Sequence, residues 1–157
     1  HRGAFTDAAR DFLVGQSISL AEARGGALHY EQDWQTRPLW LLAAGTGLAP
    51  LWAVLREALH HGHSGAIRVL HLAHEDAEHY LAEPLAALAE QYANLQVQLV
   101  RTAELPVALA ELRLVSRQTI ALLCGSPVSV EAFSRRLYLL GLPRNQILAE
   151  VFLPRAL

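Results

Sequence analysis

Lysine and methionine are absent from this 157-residue sequence, and cysteine occurs once. All 13 basic residues are therefore arginines, and against 15 acidic residues they leave a formal net charge of −2. This balance argues against a nucleic-acid binder, which needs clustered basic side chains to neutralise phosphates. The single cysteine, Cys124, excludes an internal disulfide framework and favours a reducing, cytoplasmic compartment.

Long apolar runs are also missing. No stretch approaches the ~20 uninterrupted apolar residues of a membrane span, so we expect no membrane-spanning segment. Charged residues make up 18% of the chain and hydrophobic residues 52%, a composition that excludes disorder and supplies a core for one domain or slightly more. Because methionine is absent, we expect His1 to follow an upstream segment of a longer protein.

Short apolar runs alternate with segments of helical periodicity from residue 37 onward. The first run, 37–45, is followed by apolar residues at helical spacing between Leu51 and Leu59. Strands that alternate with helices form βαβ units, so the sequence predicts an α/β fold with a five-stranded, doubly wound parallel sheet. The later strands are predicted at 66–73, 94–100, 119–125 and 146–152, and the later helices near 81–92, 105–115 and 127–140.

Residues 1–36 do not follow this alternation. The stretch FLVGQSISLAEARGGALHYE is predicted to form two β segments around a Gly25-Gly26 turn, as at the end of a barrel. We therefore expect residues 1–36 to be the remnant of one domain and residues 37–157 to be a second domain. The tail, 153–157, has no assigned role.

The most informative segment is LAAGTGLAPLWAV, in which a predicted strand turns into a predicted helix. Gly45 and Gly47 let backbone N–H groups approach a phosphate at the carboxyl end of the strand, and Thr46 adds a hydroxyl donor. Pro50 stands where a dinucleotide fingerprint has its third glycine, but proline is tolerated in the first turn of a helix. A tight strand–helix turn without a ligand is the alternative interpretation.

This segment carries a family resemblance. AAGTGLAPLWAVL resembles the GGTGxAP motif in the pyridine-nucleotide domain of the ferredoxin–NADP reductase-like flavoprotein reductases. A second segment, CGSPVSVEAFSRRLYLLGLPRNQILAEVF, is similar to that family's CGxP strand end, helix, Gly-x-Pro turn and closing Glu-x-Phe strand. HLAHEDAEHYLAEPL also resembles the stretch after the family's second strand. The resemblance covers about residues 38–152.

The residues upstream resemble the same family. GAFTDAARDFLVGQSISLAEARGGALHYE looks like the last part of the family's flavin-binding barrel. The resemblance implies that Gly3 and Thr6 contact the flavin diphosphate, whereas the motif that holds the isoalloxazine is absent from these residues. It implies the C-terminal part of a larger FAD-dependent reductase, in which residues 1–36 are a β remnant of the FAD-binding barrel.

The resemblance also implies a role for each matched position. The turn from Gly45 to Gly47, with Pro50, would bind the pyrophosphate of NAD(P)H. Cys124, Glu150 and Phe152 would lie beside the nicotinamide, where hydride passes to the flavin. The other cofactor-binding positions implied are His74, Arg101, Thr102, Gly125, Ser126 and Pro127.

Several of these residues have a plainer interpretation. Cys124 and Phe152 could be buried core residues. Arg101 could grip the 2′-phosphate of NADPH or be a solvated charge at a strand end, and NADH or dual use is slightly favoured. Ser126 fits a helix cap with Pro127 at the first helical position better than it fits a nucleophile, so a hydrolase has little support.

Two further features bear on ligands. Leu72 and His74 replace a glycine and an arginine of the family pattern, and imidazole cannot reproduce the bidentate phosphate contact of guanidinium. His60, His61 and His63 fall at a predicted helix C-terminus, where the helix dipole favours histidine. We therefore predict no metal site.

Together these features predict the NAD(P)H-binding domain of an FAD-dependent electron-transfer oxidoreductase. The resemblance implies hydride transfer from NAD(P)H to FAD and delivery of electrons to a ferredoxin or a fused iron–sulfur domain, because one cysteine cannot hold such a cluster here. FAD is expected in the intact protein but not on this segment, which alone should be inactive. The alternatives are a nucleotide-binding module without catalysis and a ligand-free structural or regulatory domain.

Overall fold

The computed structural model describes residues 9–19 and 26–153. Parallel strands form its central sheet: β1 (Leu39–Ala44), β2 (Ile67–Ala73), β3 (Leu95–Arg101), β4 (Ile120–Gly125) and β5 (Ile147–Val151). These five strands lie in the order β3-β2-β1-β4-β5. The chain first adds β2 and β3 on one side of β1 and then adds β4 and β5 on the other side. This reversal of strand order next to β1 confirms the predicted doubly wound α/β fold.

Helices connect the strands on both faces of the sheet: α1 (Leu48–His60), α2 (Ala82–Gln91), α3 (Leu105–Glu111) and α4 (Pro127–Leu139). Helices α1 and α2 pack on one face, and α3 and α4 pack on the other. Pro84 is the third residue of α2, so it removes no helical hydrogen bond.

Alternate residues of β1 face opposite helical layers. Leu39 and Leu41 belong to the core under α1 and α2, whereas Trp40 and Leu42 belong to the core under α3 and α4. Because helices cover both faces, a central strand is apolar on both sides. This is why these strands read as continuous apolar runs in the sequence.

Helix α3 is shorter than the predicted 105–115, because it ends at Glu111. The Arg136 guanidinium, from α4, donates hydrogen bonds of 3.1 Å to the carbonyl oxygens of Ala110 and Leu112. These bonds satisfy carbonyl groups that a helix end leaves open, and Leu112 turns into the core. The Arg113 guanidinium, next to Leu112, donates to the same two carbonyl oxygens, so a neighbouring and a distant arginine together bind the end of this helix.

Three side chains shortly before β1 pack on the α1 face of the sheet. Trp34, at the end of the 3-10 turn Gln32–Trp34, is buried in the core there. Leu28 and Tyr30 pack against the same core. Whether the domain boundary lies at residue 36 stays a prediction.

The β segments predicted around Gly25-Gly26 are absent from residues 9–19 and 26–36, none of which belongs to a strand; Gly25 itself lies outside the described residues. Two neighbouring strands alone are marginally stable. Leu28 and Tyr30, after Gly26, are instead half-buried against the helical layer of the sheet.

Among the helices in the described part of the chain, none combines the length and hydropathy that crossing a bilayer requires.

Candidate functional site

Strand β1 passes into α1 through a 3-10 turn, Gly45–Gly47. Gly45 has a φ of +54°, a left-handed conformation that residues with a Cβ atom rarely adopt. Gly47 is required for a different reason. A Cβ at this position would overlap the carbonyl group of Cys124 and lie 2.8 Å from the Gly125 nitrogen. The first glycine therefore makes the turn, and the second lets α1 pack onto the end of β4.

Pro50 is the third residue of α1. Its missing N–H removes no helical hydrogen bond, since the first turn of a helix has no partners for these groups. The close helix–sheet approach that a third glycine would permit is already provided at Gly47. The proline is therefore compatible with an intact nucleotide-type turn, as predicted from the sequence.

The carboxyl ends of β1 and β4 touch. A Cβ on Gly125 would lie 2.7 Å from the Ala44 Cβ, so alanine at position 44 leaves room only for glycine opposite it. Between these two strands the order of the sheet reverses, and in such sheets ligands bind outside the strand ends at this point.

Helix α4 begins at the same edge of the sheet. Pro127 is its first residue, and the Ser126 hydroxyl caps it by accepting a 3.3 Å hydrogen bond from the Ser129 N–H. The N-termini of α1 and α4 thus open beside each other, and both present unpaired N–H groups and partial positive charge.

A cleft of about 690 Å³ opens at this edge. Its volume falls in the range of sites for small molecules and cofactors. The predicted site residues that line it are Gly45, Thr46, His74, Thr102, Ser126 and Phe152. Leu72, which replaces a glycine of the family pattern in the sequence, also lines the cleft. The other lining residues had not been predicted as site residues, and they are Ala44, Ala73, Glu78, Leu105, Val128, Ser129 and Ala132.

Cys124 does not line this cleft. Its side chain is fully buried and belongs to the core under α1. Burial raises the pKa of the thiol to about 11, and the neighbouring Glu150 carboxylate acts in the same direction. The thiol is therefore neutral and unreactive at physiological pH, and its contact with nicotinamide stays a prediction.

Glu150, in β5, and Phe152, just after β5, lie in different environments. Glu150 is half-buried, and its Oε2 atom would lie 3.0 Å from a Cβ on Gly26. The Phe152 N–H donates to the Gly125 carbonyl oxygen at 2.8 Å, and 40% of the residue remains exposed. The aromatic ring is thus part of the cleft wall rather than of the core.

The ends of β2 and β3 form the other side of the cleft. The Thr102 hydroxyl donates to the Ala73 carbonyl oxygen at 3.1 Å and lies 3.3 Å from His74 Nδ1. The Arg101 guanidinium is bound by the Glu104 carboxylate, with 3.0 Å between Nε and Oε1, and this pairing lowers the pKa of Glu104. Arg101 also lies 4.0 Å from Asp76, and 51% of its side chain is exposed. It is therefore a solvent-exposed charge paired with carboxylates, and its contact with a 2′-phosphate stays a prediction.

Two buried histidines under the glycine turn were missed by sequence reasoning. His71 and His79 are in ring contact, and His71 reaches the Gly45 carbonyl oxygen. One signal was available, because His71 interrupts the otherwise apolar end of β2.

The three histidines near the end of α1 have separate surroundings. His61 Nε2 lies 2.9 Å from a Glu57 oxygen, and His63 Nδ1 lies 3.0 Å from the Tyr30 hydroxyl. His60 packs edge-on against His61. Within the described ranges, no group of three or more potential metal ligands is assembled. Gly3 and Thr6, the predicted flavin contacts, lie outside those ranges.

Comparisons with known proteins agree with this geometry. Residues 41–135 match the family model of the oxidoreductase NAD-binding domain. Over 154 residues the chain is 32% identical to the ferredoxin–NAD(P)+ reductase component of naphthalene 1,2-dioxygenase/salicylate 5-hydroxylase systems from a Ralstonia species, covering 92% of this chain and 46% of that protein. The chain spans about half the length of the curated relatives it matches.

Solved structures share the fold. The flavohem-like FAD/NAD-binding domain of nitric oxide dioxygenase from Vibrio cholerae O1 biovar El Tor superposes with a TM-score of 0.72 at 26% identity, covering 83% of this chain and 56% of that one. A ferredoxin–NADP+ reductase from Plasmodium falciparum superposes with a TM-score of 0.79 at 15% identity, covering 96% of this chain and 66% of that one. The chain therefore belongs to the oxidoreductase NAD-binding domain family of ferredoxin reductase-like proteins.

Proposed function

We propose that this chain binds NADH in the cleft at the ends of β1 and β4, as the nucleotide-binding part of an FAD-dependent oxidoreductase. The observation that carries the proposal is the junction of β1 and β4. There a left-handed glycine turn and a capped helix start lie at one edge of a cleft of about 690 Å³. The cleft lies at the reversal of strand order, which is where α/β sheets of this kind bind nucleotides.

The donors in the cleft fit a pyrophosphate. Thr46 follows Gly45 in the turn, and Ser126 and Ser129 carry hydroxyls at the start of α4. Oriented N–H groups and hydroxyls at helix N-termini bind anionic oxygens without a basic side chain. Neither lysine nor arginine is among the residues that line the cleft. The N–H groups and hydroxyls would therefore bind the doubly charged pyrophosphate.

The preference for NADH over NADPH is inferred from the opposite side of the cleft. Arg101 is engaged by Glu104, and Glu78 adds a carboxylate to the cleft wall. A 2′-phosphate placed near these groups would meet negative charge, whereas a ribose hydroxyl can donate a hydrogen bond to a carboxylate. The charge of this region therefore favours the ligand that lacks the phosphate.

The chemistry itself belongs to the cofactors, since NADH supplies a hydride that a flavin accepts. The contribution of this chain is to bind and orient the nucleotide and to exclude water. Phe152 is placed for the last role, because it lines the cleft and is 40% exposed.

For the intact protein we propose bound FAD and electron delivery to a ferredoxin or to a fused iron–sulfur domain. The support is the similarity to a relative named as the ferredoxin–NAD(P)+ reductase component of a dioxygenase system. The described residues contain one cysteine, Cys124, and it is buried, so an iron–sulfur cluster would have to reside outside them.

Calorimetric titration with NADH and NADPH at low salt tests the proposal. We expect saturable NADH binding and NADPH binding at least roughly fivefold weaker, which corresponds to about 1 kcal/mol. Thr46→Trp, at an exposed position of the cleft wall, should abolish binding without disturbing the core. Val115→Trp is the matched control, because Val115 is 82% exposed and does not line the cleft.

Two results would contradict the proposal. Folded wild-type chain that takes up neither nucleotide at millimolar concentration would favour the ligand-free structural domain. Unchanged affinity in Thr46→Trp would show that binding occurs elsewhere on the molecule.

A further inference from the structure

We infer that His79 and His71 form a buried hydrogen-bonded relay that holds the Gly45 carbonyl and so positions the nucleotide-binding turn. This inference rests on the proposed function of that turn. It assigns to both histidines the role of positioning residues, which act on the ligand through the backbone.

The relay runs from the segment after β2 to the turn after β1. His71 is fully buried and His79 is 6% exposed. His71 Nε2 lies 3.0 Å from the Gly45 carbonyl oxygen, and His79 Nδ1 lies 3.0 Å from His71 Nδ1. The two rings meet edge to face with their centroids 4.8 Å apart.

The direction of both hydrogen bonds follows from the Gly45 carbonyl oxygen at the end of the relay. A carbonyl oxygen only accepts, so His71 Nε2 must carry a proton and donate it to Gly45. In the neutral ring Nδ1 is then an acceptor, and His79 Nδ1–H must donate to it. Burial lowers the pKa of His71, which favours this neutral form. A single combination of tautomers therefore satisfies both bonds.

The Gly45 carbonyl needs such a restraint. A Cβ on Gly45 would find no atom within 4 Å, so no neighbouring group holds this residue on its Cβ side, and glycine has the greatest backbone freedom. Its carbonyl oxygen accepts from the Leu48 N–H, at the start of α1, as well as from His71. Holding this oxygen orders the turn before a ligand arrives, which reduces the entropic cost of binding.

Two pairs of variants separate a positioning role from packing alone. His71→Gln keeps an N–H donor at nearly the reach of Nε2, whereas His71→Leu removes it. His79→Asn keeps a donor at nearly the reach of Nδ1, whereas His79→Leu removes it. The matched control is His63→Leu, which removes another buried histidine, one that pairs with Tyr30 and is remote from the turn.

The readouts are the NADH dissociation constant, the thermal midpoint and the hydrogen exchange rate of the Leu48 amide. The loss of one hydrogen bond should weaken NADH binding roughly fivefold in both leucine variants, and Leu48 exchange should accelerate. The Gln and Asn variants should return both values to within about twofold of wild type. His63→Leu should lower the thermal midpoint without changing the dissociation constant or the Leu48 exchange rate.

The outcomes distinguish this inference from the proposed function. If wild type binds NADH and the leucine variants match it in affinity and Leu48 exchange, the relay is overturned and the proposed function stands. If His71→Gln and His79→Asn do not restore the NADH affinity and the Leu48 exchange rate that the leucine variants change, the histidines act through packing and the relay is again overturned. If wild type binds no NADH but Leu48 exchange follows the donor at position 71, the proposed function fails while the ordering of the turn by the relay is supported.

Discussion

The two sides of the cleft are built on different physical principles. At the junction of β1 and β4 the backbones approach so closely that Gly47 and Gly125 leave no space for a Cβ atom. At the ends of β2 and β3 the arrangement depends on polar contacts of Thr102, His74 and Arg101. One side is therefore specified by shape and the other by hydrogen bonds and charge.

This difference determines how each side responds to change. A steric requirement at a backbone contact admits one residue type, so a substitution there displaces whole elements. A polar arrangement on an exposed rim can be met by several combinations of side chains, and its individual pairs contribute little to stability. We therefore expect the first side to control folding and the second to control ligand choice.

The strongest test of this comparison is Gly47→Ala. The added Cβ would overlap the Cys124 carbonyl group, and relief requires α1 to move away from β4. We expect a loss of about 3 kcal/mol in the free energy of unfolding, measured by urea denaturation, together with loss of NADH binding. Gly45→Ala is the control, because a Cβ at position 45 meets no neighbouring atom. The left-handed backbone of this residue should cost about 1 kcal/mol of unfolding free energy in the alanine variant. A smaller loss in Gly47→Ala than in Gly45→Ala would refute the steric account.

The buried thiol on the same side predicts a loss of stability at alkaline pH. The pKa of Cys124 is raised to about 11, so the unfolded chain releases this proton first as the pH rises. The stability that depends on the neutral thiol is therefore complete below about pH 8.5 and is lost as the pH rises toward the folded-state value. We expect a decline of up to about 2 kcal/mol from this group, followed as urea midpoints between neutral pH and pH 10.5.

Cys124→Ala provides the control for this alkaline decline. The alanine variant should start from a lower stability at neutral pH, because it leaves a small cavity, but it should lose less as the pH rises. Burial also raises the pKa of Tyr30 and Tyr80, so part of the alkaline loss should persist. Parallel curves for wild type and variant would contradict the assignment to Cys124.

On the polar side, Glu104→Gln sharpens the comparison through ligand choice. The carboxylate binds the Arg101 guanidinium, and the amide should release it to meet a 2′-phosphate. We expect NADPH affinity to rise roughly fivefold, or about 1 kcal/mol, with NADH affinity and the unfolding free energy nearly unchanged. Glu111→Gln, which removes an exposed carboxylate at the end of α3, is the matched control. An equal gain in NADPH affinity in both variants would show that the effect comes from the change in net charge and not from the release of Arg101.

The smallest expected effect concerns the cap of α4. Ser126→Ala removes the acceptor of the Ser129 N–H bond and should cost about 1 kcal/mol of unfolding free energy. Ser129→Ala removes the hydroxyl that lies 2.9 Å from Ser126 Oγ but leaves the cap, and should stay within about 0.5 kcal/mol of wild type. Thermal unfolding of the two variants side by side checks this ranking, and a reversed order would mean that the cap is not the stabilising contact.

Sequence reasoning predicted most of the fold because its signals were local. Apolar runs marked the strands, apolar spacing marked the helices, and Pro50, Pro84 and Pro127 fell in first helical turns, where proline is tolerated. It was wrong where side-chain contacts of the folded chain decide the outcome. Arg113 and Arg136 bind the carbonyl oxygens at the end of α3, and Leu28 and Tyr30, in the second predicted β segment, pack on a helical layer instead of forming a strand.

The sequence by itself determined the order of strands and helices and the glycine turn, because backbone sterics and apolar periodicity act between near neighbours in the chain. Only the tertiary structure decided the approach of Arg101 to Asp76 and the contact of His71 with His79 and Gly45. Arg101 meets Asp76 across the ends of adjacent strands, and His71 meets Gly45 from a different strand. Such pairings arise from strand register and burial, and they leave no fixed spacing that a single sequence could reveal.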